Sequence, residues 1–110
     1  MTQSLSWNSG TSTLSIKGNL TNNGAIEGST GGLTFDASTG DQTISGNSLT
    51  LSNLTLNKQT SGDLIILTDV AVRNVLTMTK GNINNSSMIT LGSDSDNSGT
   101  LSYSSGAITG

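Results

Sequence analysis

Apolar residues recur along this chain in short alternating triplets: Leu14-Ser15-Ile16, Leu33-Thr34-Phe35, Leu54-Thr55-Leu56, Leu76-Thr77-Met78 and Leu101-Ser102-Tyr103. Successive side chains of an extended strand point to opposite faces, so the two apolar members of each triplet share one face and the hydroxyl takes the other. A helix would spread residues i and i+2 over different faces, and the Ser, Thr, Asn and Gly around them are poor helix formers. The pattern therefore predicts half-buried strands throughout.

The triplets stand 19, 21, 22 and 25 residues apart. Further apolar pieces fill the intervals: Leu20 and Ile26, Ile44 and Leu49-Thr50-Leu51, Ile65-Ile66-Leu67 and Val70-Ala71-Val72, then Ile83 and Ile89-Thr90-Leu91. Between them lie KGN, NNG, STGG, STGDQ and SGN, rich in the residues that tolerate positive φ at a turn. Three short strands per lap of 19–25 residues predict a parallel β-solenoid, a right-handed β-helix, over residues 1–110, with coils starting near 14, 33, 54, 76 and 101.

Phase supports this reading over an antiparallel β-sandwich. The phrase LTMTKGNI at Leu76 to Ile83 returns as LSYSSGAI at Leu101 to Ile108, and a gapped version, LSIKGNL, stands at Leu14 to Leu20. In a solenoid these phrases stack, with Leu76, Met78 and Ile83 on Leu101, Tyr103 and Ile108, and Gly81 and Gly106 at the same corner. By the same logic Leu20 aligns with Ile83, and Ile44, Leu56, Leu67, Val72, Met78 and Leu91 point into one core. A sandwich of short strands fits the alternation but gives no reason for recurrence in phase.

Composition narrows the function. Ser, Thr, Asn and Gly make up 62 of the 110 residues, 31% are hydrophobic, 10% are charged and the net charge is −3. Low charge with regularly placed Leu and Ile separates a folded chain from a disordered one. The four basic residues, Lys17, Lys58, Arg73 and Lys80, stand singly in the sequence, which disfavours binding to a nucleic-acid backbone. No apolar run is long enough to span a membrane as a helix, and MTQSLSWNSG lacks the features of a signal peptide. The absence of His and Cys excludes imidazole or thiolate catalysis and the corresponding metal sites.

The wording of Gly40 to Ile83 is familiar. Gly40-Asp41-Gln42-Thr43-Ile44-Ser45-Gly46, Leu54-Thr55-Leu56-Asn57-Lys58, Val70 to Met78 and Gly81-Asn82-Ile83 resemble repeat segments of large secreted and cell-surface adhesin-like proteins of Bacteroidetes, often exported by the type IX system. The resemblance implies a β-helical stalk or adhesive surface segment, an extracellular or cell-surface location and an excerpt of a longer solenoid, and it carries over no catalytic residues.

Few residues qualify as sites. Glu27, Asp36, Asp41, Asp63 and Asp69 occur one at a time, and Asp36 and Asp41, five apart across ASTG, read as turn formers rather than an acid/base pair. Asp94-Ser95-Asp96-Asn97-Ser98-Gly99 resembles the first half of a calcium loop, with Asp94, Asp96 and Ser98 as alternate oxygen ligands, but Ser105 stands where such loops place a bidentate Glu. Outward hydroxyls Ser15, Thr34, Thr55, Thr77 and Ser102 should form a surface ladder. The next outward station, Lys17, Asp36, Asn57, Thr79 and Ser104, breaks the regularity an ice-binding face would need. Trp7 and Tyr103 are the aromatic candidates for stacking on a sugar, and four Asn-x-Ser/Thr sequons, at Asn19, Asn53, Asn84 and Asn85, match what this composition produces by chance.

The expectation is thus a non-catalytic structural or adhesive solenoid segment without cofactor. Its partners would be adjacent coils of its own or neighbouring chains, through end-to-end stacking into filaments, and surface glycans. The alternatives are a glycan- or ice-binding module and a fragment of a polysaccharide-acting β-helix enzyme.

Overall fold

The computed structural model of the protein describes residues 4–6, 13–23, 25–27, 32–92 and 98–110. Its strands are β1 (Ser4–Ser6), β2 (Thr13–Ile16), β3 (Leu20–Asn22), β4 (Ala25–Glu27), β5 (Gly32–Phe35), β6 (Gln42–Gly46), β7 (Leu49–Asn57), β8 (Asp63–Ile66), β9 (Val70–Lys80), β10 (Asn82–Asn85), β11 (Ile89–Leu91), β12 (Thr100–Tyr103) and β13 (Ile108–Thr109). Every pairing is parallel, and the described residues contain no helix. The chain is a β-solenoid of about 4 turns.

Parallel pairing of strands this close in sequence requires the chain to circle once between partners. The triplets do this in register: Leu14 stands opposite Leu33, Leu33 opposite Leu54, Leu54 opposite Leu76 and Leu76 opposite Leu101. A second sheet runs β3, β6, β8, β10, β13; a third station comes from the first parts of β7 and β9 with β11, while β1 and β4 pair with each other in a two-stranded sheet. Long β7 and β9 each join two stations, and a register shift between Leu51 and Asn53 marks the join. A second shift after Leu56 sets Lys80, not Thr79, opposite Asn57, so the expected outward row is displaced there.

Alternation puts the apolar side chains inside. Leu33, Phe35, Ile44, Leu49, Leu51, Leu54, Leu56, Leu64, Ile66, Val70, Val72, Leu76, Met78 and Ile83 form one buried cluster, with Ile16, Leu20, Ile89 and Leu91 packed against it. Each fully buried side chain of this kind is worth roughly 1.5–3 kcal/mol of transfer free energy. Leu67, expected in the core, is 53% exposed. Asp63-Leu64-Ile65-Ile66-Leu67 contains four consecutive apolar residues, whose alternation is ambiguous. Stacking of Leu64 on Ile83 and of Ile66 on Ile44 decides the parity and turns Leu67 out.

The repeated phrase behaves as expected at its close. Ile83 lies opposite Ile108, and Met78 opposite Tyr103. Gly81 and Gly106 both have positive φ, +112° and +101°, and a Cβ on Gly106 would run into the Gly81 carbonyl. Only glycine fits where two coils turn this tightly against each other.

The gapped phrase does not. Leu20 stands opposite Ile44, which lies opposite Ile66 and then Asn85. Ile83 belongs to a different column, with Leu64 and Gln42. The expected alignment of Leu20 with Ile83 is two residues out of register, a slip that preserves the inward face and is therefore invisible to hydrophobic patterning.

Candidate functional site

Charges that look solitary in the sequence converge in space. Lys17, Asp36, Asp41, Lys58, Asp63 and Lys80 all lie at or beside the corner between the triplet sheet and the sheet of β3, β6, β8, β10 and β13. One lap of the solenoid turns a separation of about twenty residues into adjacency, and the intervals 17 to 36, 41 to 63 and 58 to 80 are 19, 22 and 22 residues. The acidic residues, single in the sequence, each meet a group of a neighbouring coil here: Asp36 meets Lys17, Asp41 meets the Asp63 amide and Asp63 meets Asn82. Sequence reading had the signal in those intervals, because charges one lap apart must stack.

The contacts at this corner run from coil to coil. Lys17 Nζ pairs with Asp36 Oδ1 at 3.1 Å. Asp41 Oδ1 accepts the backbone N–H of Asp63 at 2.9 Å, and Lys80 Nζ donates to the Gln59 carbonyl at 2.9 Å. Asn82 Nδ2 reaches Asp63 Oδ1 at 3.5 Å, and Asn82 Oδ1 accepts the Ala107 N–H at 2.9 Å. Asp41 thus caps a backbone amide, as its turn setting implied, but the amide belongs to the next coil. Asp36 is engaged with a lysine rather than with Asp41.

Beneath this corner, inside the solenoid, lie two polar side chains that sequence reasoning missed. Gln42 and Lys58 are each 1% exposed. Gln42 Oε1 accepts the Ala37 N–H at 3.0 Å and Lys58 Nζ at 3.1 Å, while its Nε2 donates to the carbonyls of Ile16 at 2.8 Å and Gly18 at 2.7 Å. The Lys58 stem runs under Gly81, where an added Cβ would come within 2.7 Å of its Cγ. Burial pushes the Lys58 ammonium below the ordinary lysine value, opposed by the attraction of Asp41, Asp36 and Asp63. The alternation inside GDQTISG marks Gln42 as inward, on the same side as Ile44, and is the signal that was available.

The hydroxyl ladder forms in register: Ser15, Thr34, Thr55, Thr77 and Ser102 are paired in sequence from coil to coil, which sets neighbours about 4.8 Å apart. Tyr103 is 59% exposed, yet it occupies the inward column of Phe35, Leu56 and Met78 and donates its hydroxyl to the Gly106 carbonyl at 2.8 Å. It is the outer member of a core column rather than a platform on the solenoid wall. Trp7, Asp94 and Asp96 lie outside the described residues, and Ser98 is exposed. Among the described residues no three His, Cys, Asp or Glu side chains are grouped to hold a metal ion, and no helix is long and apolar enough to cross a membrane.

Set against known proteins, the chain matches no family model, no curated protein and no solved structure.

Proposed function

We propose that this chain is a non-catalytic structural or adhesive segment of a large extracellular bacterial protein, a stalk or surface repeat built of stacked coils. The observation that carries the reading is the use made of its charged corner. Lys17, Asp41, Lys80 and Asn82, the side chains best suited to chemistry, bond to neighbouring coils and tie successive laps together. Much of the remaining wall is Ser, Thr and Asn, a polar surface suited to a spacer, interrupted by exposed Leu67 and Met88. The resemblance of Gly40 to Ile83 to Bacteroidetes surface repeats agrees with this reading. In this role the partners are further coils, of its own or a neighbouring chain, received by parallel strand edges, together with surface glycans. Protease shaving of intact producing cells, followed by immunoblotting for the chain, tests it: the signal should disappear without lysis, and a protected signal in the cytosolic fraction would refute the proposal.

The in-register hydroxyl ladder favours one second reading, a wall that binds a hydroxyl-rich glycan. Co-sedimentation with insoluble polysaccharides, compared between the parent and Thr55→Lys with Thr77→Lys, separates it from the first. Equal sedimentation of both proteins would leave the ladder with no binding role.

A further inference from the structure

Hydrophobic patterning leaves the first coil of this solenoid with two acceptable registers. In the observed one, Leu20 of β3 faces the column of Ile44 and Ile66. Sliding β3 by two residues keeps Leu20 inward and places it in the column of Gln42, Leu64, Ile83 and Ile108, which is apolar but for one member. The recurrence of LSIKGNL in LTMTKGNI points to that slipped alignment. Corner length does not choose between the two: three residues separate β2 from β3, six separate β5 from β6, five β7 from β8, and one β9 from β10.

We infer that Gln42, held by Lys58, is a register lock that selects how the first coil sits on the second. One amide binds three successive coils. Its Nε2 holds the Ile16 and Gly18 carbonyls of the first, its Oε1 takes the Ala37 N–H at its own corner, and the same oxygen receives the Lys58 ammonium from the third. A two-residue slip of β3 carries the Gly18 carbonyl away from Nε2 and leaves one of its two buried N–H groups unpaired. It also sets Asn22 opposite Ile44 and parts Asn19 Oδ1 from the Thr43 N–H, so the Gln42 amide acts together with these two asparagines. Lys58 fits this role because its stem lies against Gly81, which has no side chain to fill that space. It donates its backbone N–H to the Lys80 carbonyl, runs beneath Gly81, and reaches inward to donate to the amide oxygen. Buried polar groups that specify register at some cost in stability are the best-attested use of such groups.

The chain has no cysteine, which allows the register to be read directly. The Thr21 and Ser45 hydroxyls are 3.4 Å apart in the observed register, and a two-residue slip would put Thr21 opposite Thr43. Two reporters, Thr21→Cys with Ser45→Cys and Thr21→Cys with Thr43→Cys, are oxidised in the full chain and the cross-linked fraction is measured on a gel. The parent should cross-link only through the first pair. With Gln42→Leu and Lys58→Met together, the second pair should appear in comparable yield while the circular dichroism stays that of a folded β protein. Gln42→Glu is the second variant: it keeps acceptors for Ala37 and Lys58, loses both donors to the first coil, and should release the slipped register there alone. A protein that cross-links only through positions 21 and 45 in both variants overturns the inference. Loss of folding in both overturns it equally, by making the pair an element of stability rather than of register.

Discussion

Gln42 Oε1 and Lys58 Nζ lie 3.1 Å apart inside the solenoid, sixteen residues apart in the chain and one coil apart in space. The lysine's position gives stability an unusual pH dependence. Burial holds its folded-state value below the ordinary 10.5, so between those two values the unfolded chain binds more protons than the folded one. Stability contributed by this group therefore rises as pH climbs through that window and levels off above 10.5, the reverse of a lysine with a strong ion-pair partner. Urea melts between neutral pH and pH 10.5 should show a smaller alkaline loss for the parent than for Lys58→Met, the difference growing across the window. A difference of opposite sign would mean that the three aspartates outweigh burial.

Leu56 stands between Phe35 and Met78 and is fully buried, whereas Leu67 is 53% exposed. Leu56→Asp buries an unpaired charge and should cost about 3–5 kcal/mol, lowering the melting point of the whole stack in one transition. Leu67→Asp should stay within about 0.5 kcal/mol of the parent. Thermal melts followed by circular dichroism compare the two directly, and equal effects would reject the assigned parity of β8.

Two glycines offer a matched pair. Gly81 has φ of +112°, and a Cβ added there would lie 2.7 Å from Lys58 Cγ, so Gly81→Ala combines backbone strain with a clash. It should cost on the order of 1–3 kcal/mol. Gly18 has open space around its missing Cβ, and Gly18→Ala should be neutral or stabilise by up to about 1 kcal/mol through the unfolded chain. Chemical denaturation of both variants measures the contrast.

The Asp94 to Gly99 segment supplies alternate oxygen ligands but Ser105 where a bidentate carboxylate is needed. Saturating calcium should leave the melting temperature of the parent unchanged. A rise that disappears in Asp94→Ala with Asp96→Ala would establish a site.

The class of fold was legible because apolar alternation and its recurrence every lap survive any local ambiguity. Leu14, Leu33, Leu54, Leu76 and Leu101 could be aligned by eye and do stack. Three things were not legible, each for a physical reason. Leu67 lies in a run of four apolar residues, where alternation has no unique phase. Leu20 has two columns that satisfy burial, and the contacts that go with the observed one, such as Gln42 Nε2 to Gly18 and Asn19 Oδ1 to Thr43, run between coils. The charged corner is hidden in the sequence because Lys17, Asp36, Lys58 and Lys80 lie far apart along the chain, while the relevant distance in a solenoid is measured modulo one lap.

β11 and β12 both pair with β9 without loss of register, although their near ends behave very differently: eight residues separate Leu91 from Thr100, against the two, Arg73 and Asn74, between Val72 and Val75 on β9. Six more residues thus stand between these two paired positions than between their partners on β9, and the strands on either side keep their register. A coil here is defined by its stations rather than by its length, so the interval between Leu91 and Thr100 is a natural place to graft a guest peptide, an epitope or a tag. It is equally where duplication and drift can lengthen such a protein piecemeal while the scaffold beneath stays the same.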